Sequence, residues 1–118
     1  MYQVKVEGNF SSAHSLRGYK GKCEALHGHN WKVEVEARSD DLDAVGMVVD
    51  FKVMKQKLHA ALETLDHTHL NRIPYFKKIN PTSEHIAKYL FVKLEKSIPL
   101  LFAVRVWESE NSSATYSK

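Results

Sequence analysis

Two long segments of alternating polarity constrain this chain more than any other feature. Between residues 2 and 14, the apolar side chains fall on even positions and the polar ones mainly on odd positions. Between residues 27 and 37, the apolar side chains fall on odd positions, with charged residues between them. Side chains along a strand point alternately to its two faces, so both segments are predicted to be strands with one buried face. Residues 15–26, which join them, are basic and contain glycine, as expected of a loop.

Apolar residues at three- and four-residue spacing predict two helices further along the chain. The first follows Asp50, a residue type suited to the N-cap, and ends near residues 66–71. The second begins near Asn80 and Pro81, with the proline at the first helical position. Further strands are predicted at three places: a candidate at Met47–Val49, residues 101–108, and Ala114–Tyr116. The order β-β-α-α-β-β predicts an α+β fold, an antiparallel sheet with two helices on one face.

Composition narrows the class of protein. A chain of 118 residues with 43% hydrophobic residues suits one globular domain, predicted to span residues 1–118. No apolar run is long enough for a membrane helix, and a net charge of +3 without a dense basic block argues against nucleic-acid binding. Cys23 is the single cysteine, so no disulfide can form within the chain, and a reducing, cytoplasmic setting is expected.

Three histidines are the strongest candidates for a functional site. His27 and His29 are two residues apart on the second predicted strand, so both imidazoles lie on one face. His14 ends the first strand, and a hairpin would bring it to the same end of the same face. Three neutral imidazoles leave a fourth position open, as in catalytic zinc sites; ligand type alone also allows copper or iron, but nothing indicates redox chemistry. The alternative is a set of ordinary surface or core histidines, which fits a single His-x-His pair better than it fits all three.

Cys23, Asp66 and His67 form a second candidate group. Cys23 lies in the loop before the second strand, and a thiol beside a cation can act as a base or nucleophile in its thiolate form. Asp66 precedes His67 at the predicted end of the first helix, where a carboxylate could orient an imidazole that activates the thiol. Each part also has an ordinary explanation, since a lone cysteine is commonly a small buried residue and Asp-His is a common dipeptide.

Glu108 and Thr82 are candidates for contact with a substrate. Glu108 continues the apolar parity of its strand, and a buried carboxylate would need a partner such as a heterocycle with two adjacent N–H groups. An exposed position at the strand end explains Glu108 equally well. Thr82 is first of all a helix-capping residue. The loop residues Arg17, Lys20 and Lys22 either attract an anionic group or are simply solvated.

Six segments spread over nearly the whole chain form a family pattern. They are FSSAHSL (10–16), CEALHGHNWKVEV (23–35), GMVVDF (46–51), LDHTHLN (65–71), NPTSEHIA (80–87) and VRVWES (104–109). Together they resemble the 6-pyruvoyl-tetrahydropterin synthase / 6-carboxy-tetrahydropterin synthase family. The most specific element is the Cys-x3-His-Gly-His block followed by Asp-His-x-x-Leu-Asn.

The resemblance implies a fold, an assembly and a set of residue roles. It implies the tunnelling fold (T-fold), in which three chains close a barrel and two trimers stack into a homohexamer, with active sites between subunits. The implied roles are metal ligation by His14, His27 and His29, proton transfer by Cys23 with Asp66 and His67, and pterin binding by Glu108 and Thr82.

The implied activity is that of a zinc-dependent 6-carboxy-5,6,7,8-tetrahydropterin synthase. Such a lyase converts 7,8-dihydroneopterin triphosphate to 6-carboxytetrahydropterin, acetaldehyde and triphosphate, on the route to queuosine and related deazapurines. The alternatives are the sister activity, 6-pyruvoyl-tetrahydropterin synthase, and a non-catalytic module in which metal staples the hairpin. Two positions depart from the family's usual pattern: Ser109 replaces threonine after the anchoring glutamate, and His85 replaces asparagine. Both departures concern the implied pterin pocket and leave the implied metal site unchanged.

Overall fold

The computed structural model describes residues 1–21 and 24–118, which form two β-hairpins separated by two α-helices. The strands are β1 (Tyr2–His14), β2 (His27–Ser39), β3 (Leu101–Ser109) and β4 (Ser112–Ser117). The helices are α1 (Phe51–Glu63) and α2 (Ser83–Leu94), with short 3-10 helices at Leu70–Arg72 and Pro74–Phe76 in the linker between them. The predicted order β-β-α-α-β-β is confirmed, including the short final strand.

The four strands form one antiparallel sheet in the order β1-β2-β3-β4. β1 and β2 pair along their whole length without a shift, from Tyr2 opposite Ser39 to His14 opposite His27. Helix α1 packs on β1, and α2 packs on β3 and β4. The apolar side chains of this face, with Trp31 fully buried among them, form the core together with the helices. The alternating pattern therefore predicted the buried face of both long strands correctly.

Asp50 sets the start of α1, as the sequence predicted. Its carboxylate accepts a hydrogen bond from the backbone N–H of Lys52, which satisfies one of the free N–H groups of the first turn. The candidate strand at Met47–Val49 is wrong. The backbone N–H of Met47 donates to the Asp43 carboxylate, and its carbonyl accepts from the N–H of Asp43, so the segment closes a turn and does not join the sheet.

Thr82 sets the start of α2, and the first helical position lies two residues later than the sequence predicted. Its hydroxyl accepts a hydrogen bond from the backbone N–H of His85, so the helix begins at Ser83. The expectation that Pro81 occupies the first helical position is wrong, because the threonine cap follows it. The carbonyl of Pro81 meets a side chain of β1. No helix in the described ranges is long and apolar enough to cross a membrane.

Two asparagines hold the segment that follows β1. Asn71 accepts a hydrogen bond from the backbone N–H of Ser15 at 2.9 Å and donates to the carbonyl of Ser15 at 2.8 Å. Asn80 makes the same pair of bonds with Arg17, at 2.8 and 3.0 Å. The two carboxamides thus bond the backbone N–H and C=O groups of alternate residues. They replace the hydrogen bonds that a neighbouring strand would make along residues 15–17.

Arg17 makes the same connection in the opposite direction. Its guanidinium donates to the backbone carbonyls of Phe76 at 2.7 Å, Ile79 at 3.2 Å and Asn71 at 3.3 Å. All these carbonyls belong to the linker between α1 and α2, so one side chain ties several points of the linker to the end of β1. We refer to Arg17, Asn71 and Asn80 as the linker clasp.

Replacing Arg17 by methionine keeps the aliphatic stem and removes the donors. The carbonyls of the linker then lose a charged partner, and we expect the free energy of unfolding to fall by about 1.5–3 kcal/mol. Urea denaturation of the metal-free protein measures this. Lys20→Met, an exposed basic residue in the same loop, is the matched control and should change stability by less than about 0.5 kcal/mol. Equal losses in the two variants would contradict the clasp.

Candidate metal centre

The structure brings together the three histidines that the sequence singled out. Their ring centroids lie 4.7 Å apart for His14 and His27, 5.1 Å for His14 and His29, and 4.8 Å for His27 and His29. The strand register explains this, because His14 lies directly opposite His27 and His29 follows two residues later on the same face. The buried indole of Trp31 packs edge-on against His14 and His29 and forms the floor of the group.

Backbone carbonyls orient two of the imidazoles. The Nδ1 of His14 lies 2.8 Å from the carbonyl oxygen of Pro81, and the Nδ1 of His27 lies 2.9 Å from that of Ala25. A carbonyl can only accept, so each Nδ1 carries the proton and each Nε2 presents its lone pair. Metal-bound histidines are held in this way by a hydrogen bond on the second ring nitrogen. Pro81 follows Asn80 of the linker clasp, so the clasp also positions the carbonyl behind His14.

The donor atoms fit a divalent cation such as zinc. The Nε2 atoms of His14 and His29 are buried and form no hydrogen bond with any described residue. Buried polar atoms normally have a partner, so two unpartnered ring nitrogens within reach of one another indicate a site for a positively charged ligand. Burial also lowers the pKa of His29 despite the opposing charge of Glu108, which favours the neutral imidazole that a metal requires.

Glu108 is a fourth potential donor, a role that sequence reasoning missed. Its Oε1 lies 3.2 Å from the Nε2 of His14 and 3.1 Å from the Nε2 of His29. The candidate ligand atoms of the three histidines and Glu108 all lie within 4.8 Å of one another. Parity placed Glu108 on the correct face, but the sequence contains no signal for its distance from the histidines, since that depends on how β3 aligns with β2.

Asp66 and His67 lie at the outer edge of β1, apart from the histidine group. Oδ1 of Asp66 accepts the backbone N–H of Ser11 at 2.8 Å, and the N–H of His67 donates to the carbonyl of Ser11 at 2.6 Å. The hydrogen bond from Ser11 lowers the pKa of Asp66, and the charged carboxylate pairs with the Nδ1 of His67 at 3.0 Å. Ser11 is three residues from His14, about 10 Å along a strand. The His67 side chain is 81% exposed.

The remaining predicted site residues are Thr82, Cys23 and the basic residues of the loop after β1. Thr82 caps α2 directly after Pro81, so it lies beside the residue that orients His14. Cys23 and Lys22 fall outside the described residues. The guanidinium of Arg17 is engaged in the linker clasp, an arrangement that the sequence analysis did not predict.

Fold and site together define an α+β protein whose central hairpin presents three imidazoles and a carboxylate to a cation. Residues 3–118 match the sequence profile of the 6-pyruvoyl tetrahydropterin synthase family, and the chain belongs to that family. The family resemblance of the sequence motifs is therefore confirmed.

Relatives of this chain carry two names. A 6-carboxy-5,6,7,8-tetrahydropterin synthase of Synechocystis is 39% identical over 122 aligned positions, which cover 98% of this chain and 93% of the relative. The 6-pyruvoyl tetrahydrobiopterin synthase of Homo sapiens is 35% identical over 130 positions, covering 97% and 90%. The structure of Caenorhabditis elegans 6-pyruvoyl tetrahydropterin synthase matches with a TM-score of 0.86 at 27% identity, covering 99% of this chain and 95% of that one. The subunit fold expected from the resemblance is confirmed.

Replacing His27 by alanine should remove most of the bound metal, because the remaining donors no longer surround the cation. We expect about one zinc per chain in the parent protein after zinc loading and dialysis, and about a tenth of that or less in the variant. Elemental analysis of both samples measures it. His59→Ala, an exposed histidine on α1, is the matched control and should retain full zinc. Full occupancy in His27→Ala would contradict the metal centre.

Proposed function

We propose that this protein is a zinc-dependent 6-carboxy-5,6,7,8-tetrahydropterin synthase, a lyase of one domain spanning residues 1–118. Its proposed substrate is 7,8-dihydroneopterin triphosphate, and its products are 6-carboxytetrahydropterin, acetaldehyde and triphosphate, on the route to queuosine. The observation that carries the proposal is the group of His14, His27 and His29, in which the Nε2 atoms of His14 and His29 are buried, in a chain of the pterin synthase family. Relatives from Synechocystis and Archaeoglobus fulgidus with the 6-carboxy name, one of them as a putative enzyme, are each 39% identical.

The site residues divide the proposed chemistry between them. Zinc held by the three imidazoles supplies Lewis acidity toward the side-chain hydroxyls of the substrate. Cys23 moves protons at the neighbouring carbon and oxygen atoms as general base and acid. His67 tunes the thiol, and Asp66 holds the imidazole of His67 through its Nδ1. Glu108 accepts two N–H groups of the pterin ring, and the hydroxyl of Thr82, which accepts the capping N–H, still has its own proton to donate.

The position of Asp66 and His67 supports a site shared between subunits. The pair is hydrogen-bonded to the outer edge of β1 at Ser11, and the His67 imidazole is exposed. In the described part of the chain, the backbone of this edge is hydrogen-bonded to another segment at Ser11 and Ala13, and strand edges with free backbone groups are a template for pairing with another chain. We therefore propose a homohexamer of two stacked trimers, in which each metal centre receives Asp66 and His67 from an adjacent subunit.

The second candidate is 6-pyruvoyl-tetrahydropterin synthase activity on the same substrate. The human relative of that name matches 97% of this chain at 35% identity, and the family resemblance implies the same site residues for both products. The two activities differ in their products. The 6-carboxy activity cleaves the three-carbon side chain of the substrate, and the 6-pyruvoyl activity keeps it.

Product analysis distinguishes these activities. Zinc-loaded protein is incubated with 7,8-dihydroneopterin triphosphate, and the pterin and carbonyl products are identified by mass spectrometry. We expect 6-carboxytetrahydropterin together with acetaldehyde. A pterin that retains all three side-chain carbons would establish the second candidate. No turnover by the zinc-loaded parent would contradict both and leave a metal-stapled module.

The same assay tests the proton-transfer group. Cys23→Ala and His67→Ala should each keep full zinc and lose turnover by about 10²–10⁴-fold, the usual contribution of a positioned acid–base group. If sites are shared, dissociating and reassembling the two variants together should restore part of the activity, because some sites then combine an intact thiol with an intact imidazole from the neighbour. Zinc loss in Cys23→Ala would make the thiol a ligand and contradict its role, and no recovery on mixing would contradict the shared site.

A further inference from the structure

Glu108 lies at an irregularity in the sheet. Trp107 pairs with Ser113 and Ser109 pairs with Ser112, so β3 has one residue more than β4 at this point, which is a β-bulge. Bulges are over-represented beside active sites. The side chain of this extra residue reaches across to the histidines at the end of the β1–β2 hairpin.

The carboxylate of Glu108 lies where a fourth metal ligand belongs. In a tetrahedral site with metal–ligand bonds of about 2.0–2.1 Å, neighbouring ligand atoms are about 3.3–3.4 Å apart. Oε1 of Glu108 is 3.2 Å from the Nε2 of His14 and 3.1 Å from the Nε2 of His29. Neither nitrogen forms a hydrogen bond with that oxygen despite the short distance. Oε1 of Glu108 is therefore at ligand spacing from both nitrogens without being hydrogen-bonded to either.

The proposed function requires the same carboxylate elsewhere. The adjacent N–H groups of a pterin lie on the pyrimidine end of the bicyclic ring, whereas the hydroxyls that approach the metal are on the side chain at the opposite end. The two oxygens of one carboxylate are too close together to reach the metal and those N–H groups at once. The Glu108 side chain is 37% exposed, so it has room to rotate between the two positions.

We infer that Glu108 is an exchangeable fourth ligand of the metal, an inference that rests on the proposed function. In the substrate-free protein its carboxylate closes the metal centre. When the pterin ring binds, Glu108 leaves the metal for the ring N–H groups and opens a coordination position for the side-chain hydroxyls. Recognition of the ring thereby exposes the metal, and a polyol or phosphate without a pterin ring does not.

Bare pterin, which carries the ring but no side chain, tests this exchange. If pterin removes a donor from the metal, bound pterin lowers the affinity of the protein for zinc. By linkage, bound zinc lowers the affinity for pterin by the same factor. We expect saturating pterin to reduce zinc affinity by roughly tenfold or more, since even hydrogen-bond partners of metal ligands contribute about 10–100-fold. Zinc affinity is measured by competition with a chromophoric chelator, with and without pterin. The absorption bands of the Co²⁺-substituted protein should shift when pterin is added.

Two variants separate ligation from folding. Glu108→Gln without pterin should show the weakened zinc affinity and the shifted Co²⁺ spectrum that pterin produces in the parent. Glu110→Gln, an exposed glutamate two residues further along, is the matched control and should behave as the parent does. Circular dichroism of each metal-free variant verifies that the fold is retained.

The direction in which pterin changes the zinc affinity tests the exchange. Zinc affinity that is unchanged by bound pterin, or that rises because the ring itself coordinates the metal, would overturn the exchange while leaving the proposed function intact. An unchanged Co²⁺ spectrum in Glu108→Gln would also overturn it. Failure of the protein to bind pterin at all would contradict the proposed function itself, which turnover of 7,8-dihydroneopterin triphosphate on the same sample tests separately.

Discussion

The unshifted pairing of β1 with β2 is the constraint on which the rest of the site depends. It places His14 directly opposite His27 and puts His29 beside them on the buried face. A slip of one residue would turn His27 and His29 to the opposite face of the sheet. The register is held by burial along the same strands, because Trp31 and the apolar residues that follow it must face the helices. The core and the metal centre therefore share one geometric requirement.

The linker between the helices fixes the end of β1 and the orientation of His14. The linker clasp binds residues 15–17 through the side chains of Asn71 and Asn80, and Arg17 binds the linker carbonyls in return. The carbonyl of Pro81 then holds the Nδ1 of His14 and leaves its Nε2 for a cation. The same linker begins with Asp66 and His67 on the outer edge of β1. One connecting segment thus supports the metal centre in its own chain and, under the proposed assembly, supplies acid–base groups to the next.

Periodicity was sufficient to predict the four strands and two helices that form the fold, and parity placed the three histidines on one face. Periodicity could not predict that α2 begins after Pro81, because the Thr82 cap sets that boundary. It also could not predict that Met47–Val49 is not a strand, because hydrogen bonds to Asp43 fold that segment into a turn. Nor could it show that Glu108 approaches the histidines. That contact depends on the alignment of β3 beside β2, which is a property of the assembled sheet and not of any local segment. The roles of Cys23, Asp66 and His67 remain predictions from the family resemblance.

The metal environment of the substrate-free, zinc-loaded protein tests this picture most directly. X-ray absorption at the zinc edge reports the type, number and distance of the ligand atoms. We predict three imidazole nitrogens and one oxygen at about 2.0–2.1 Å, with no sulfur. A sulfur ligand at about 2.3 Å would show that Cys23 closes the site, and fewer than three imidazoles would show that the histidine group is not the metal centre. Either result would contradict a catalytic zinc held by His14, His27 and His29.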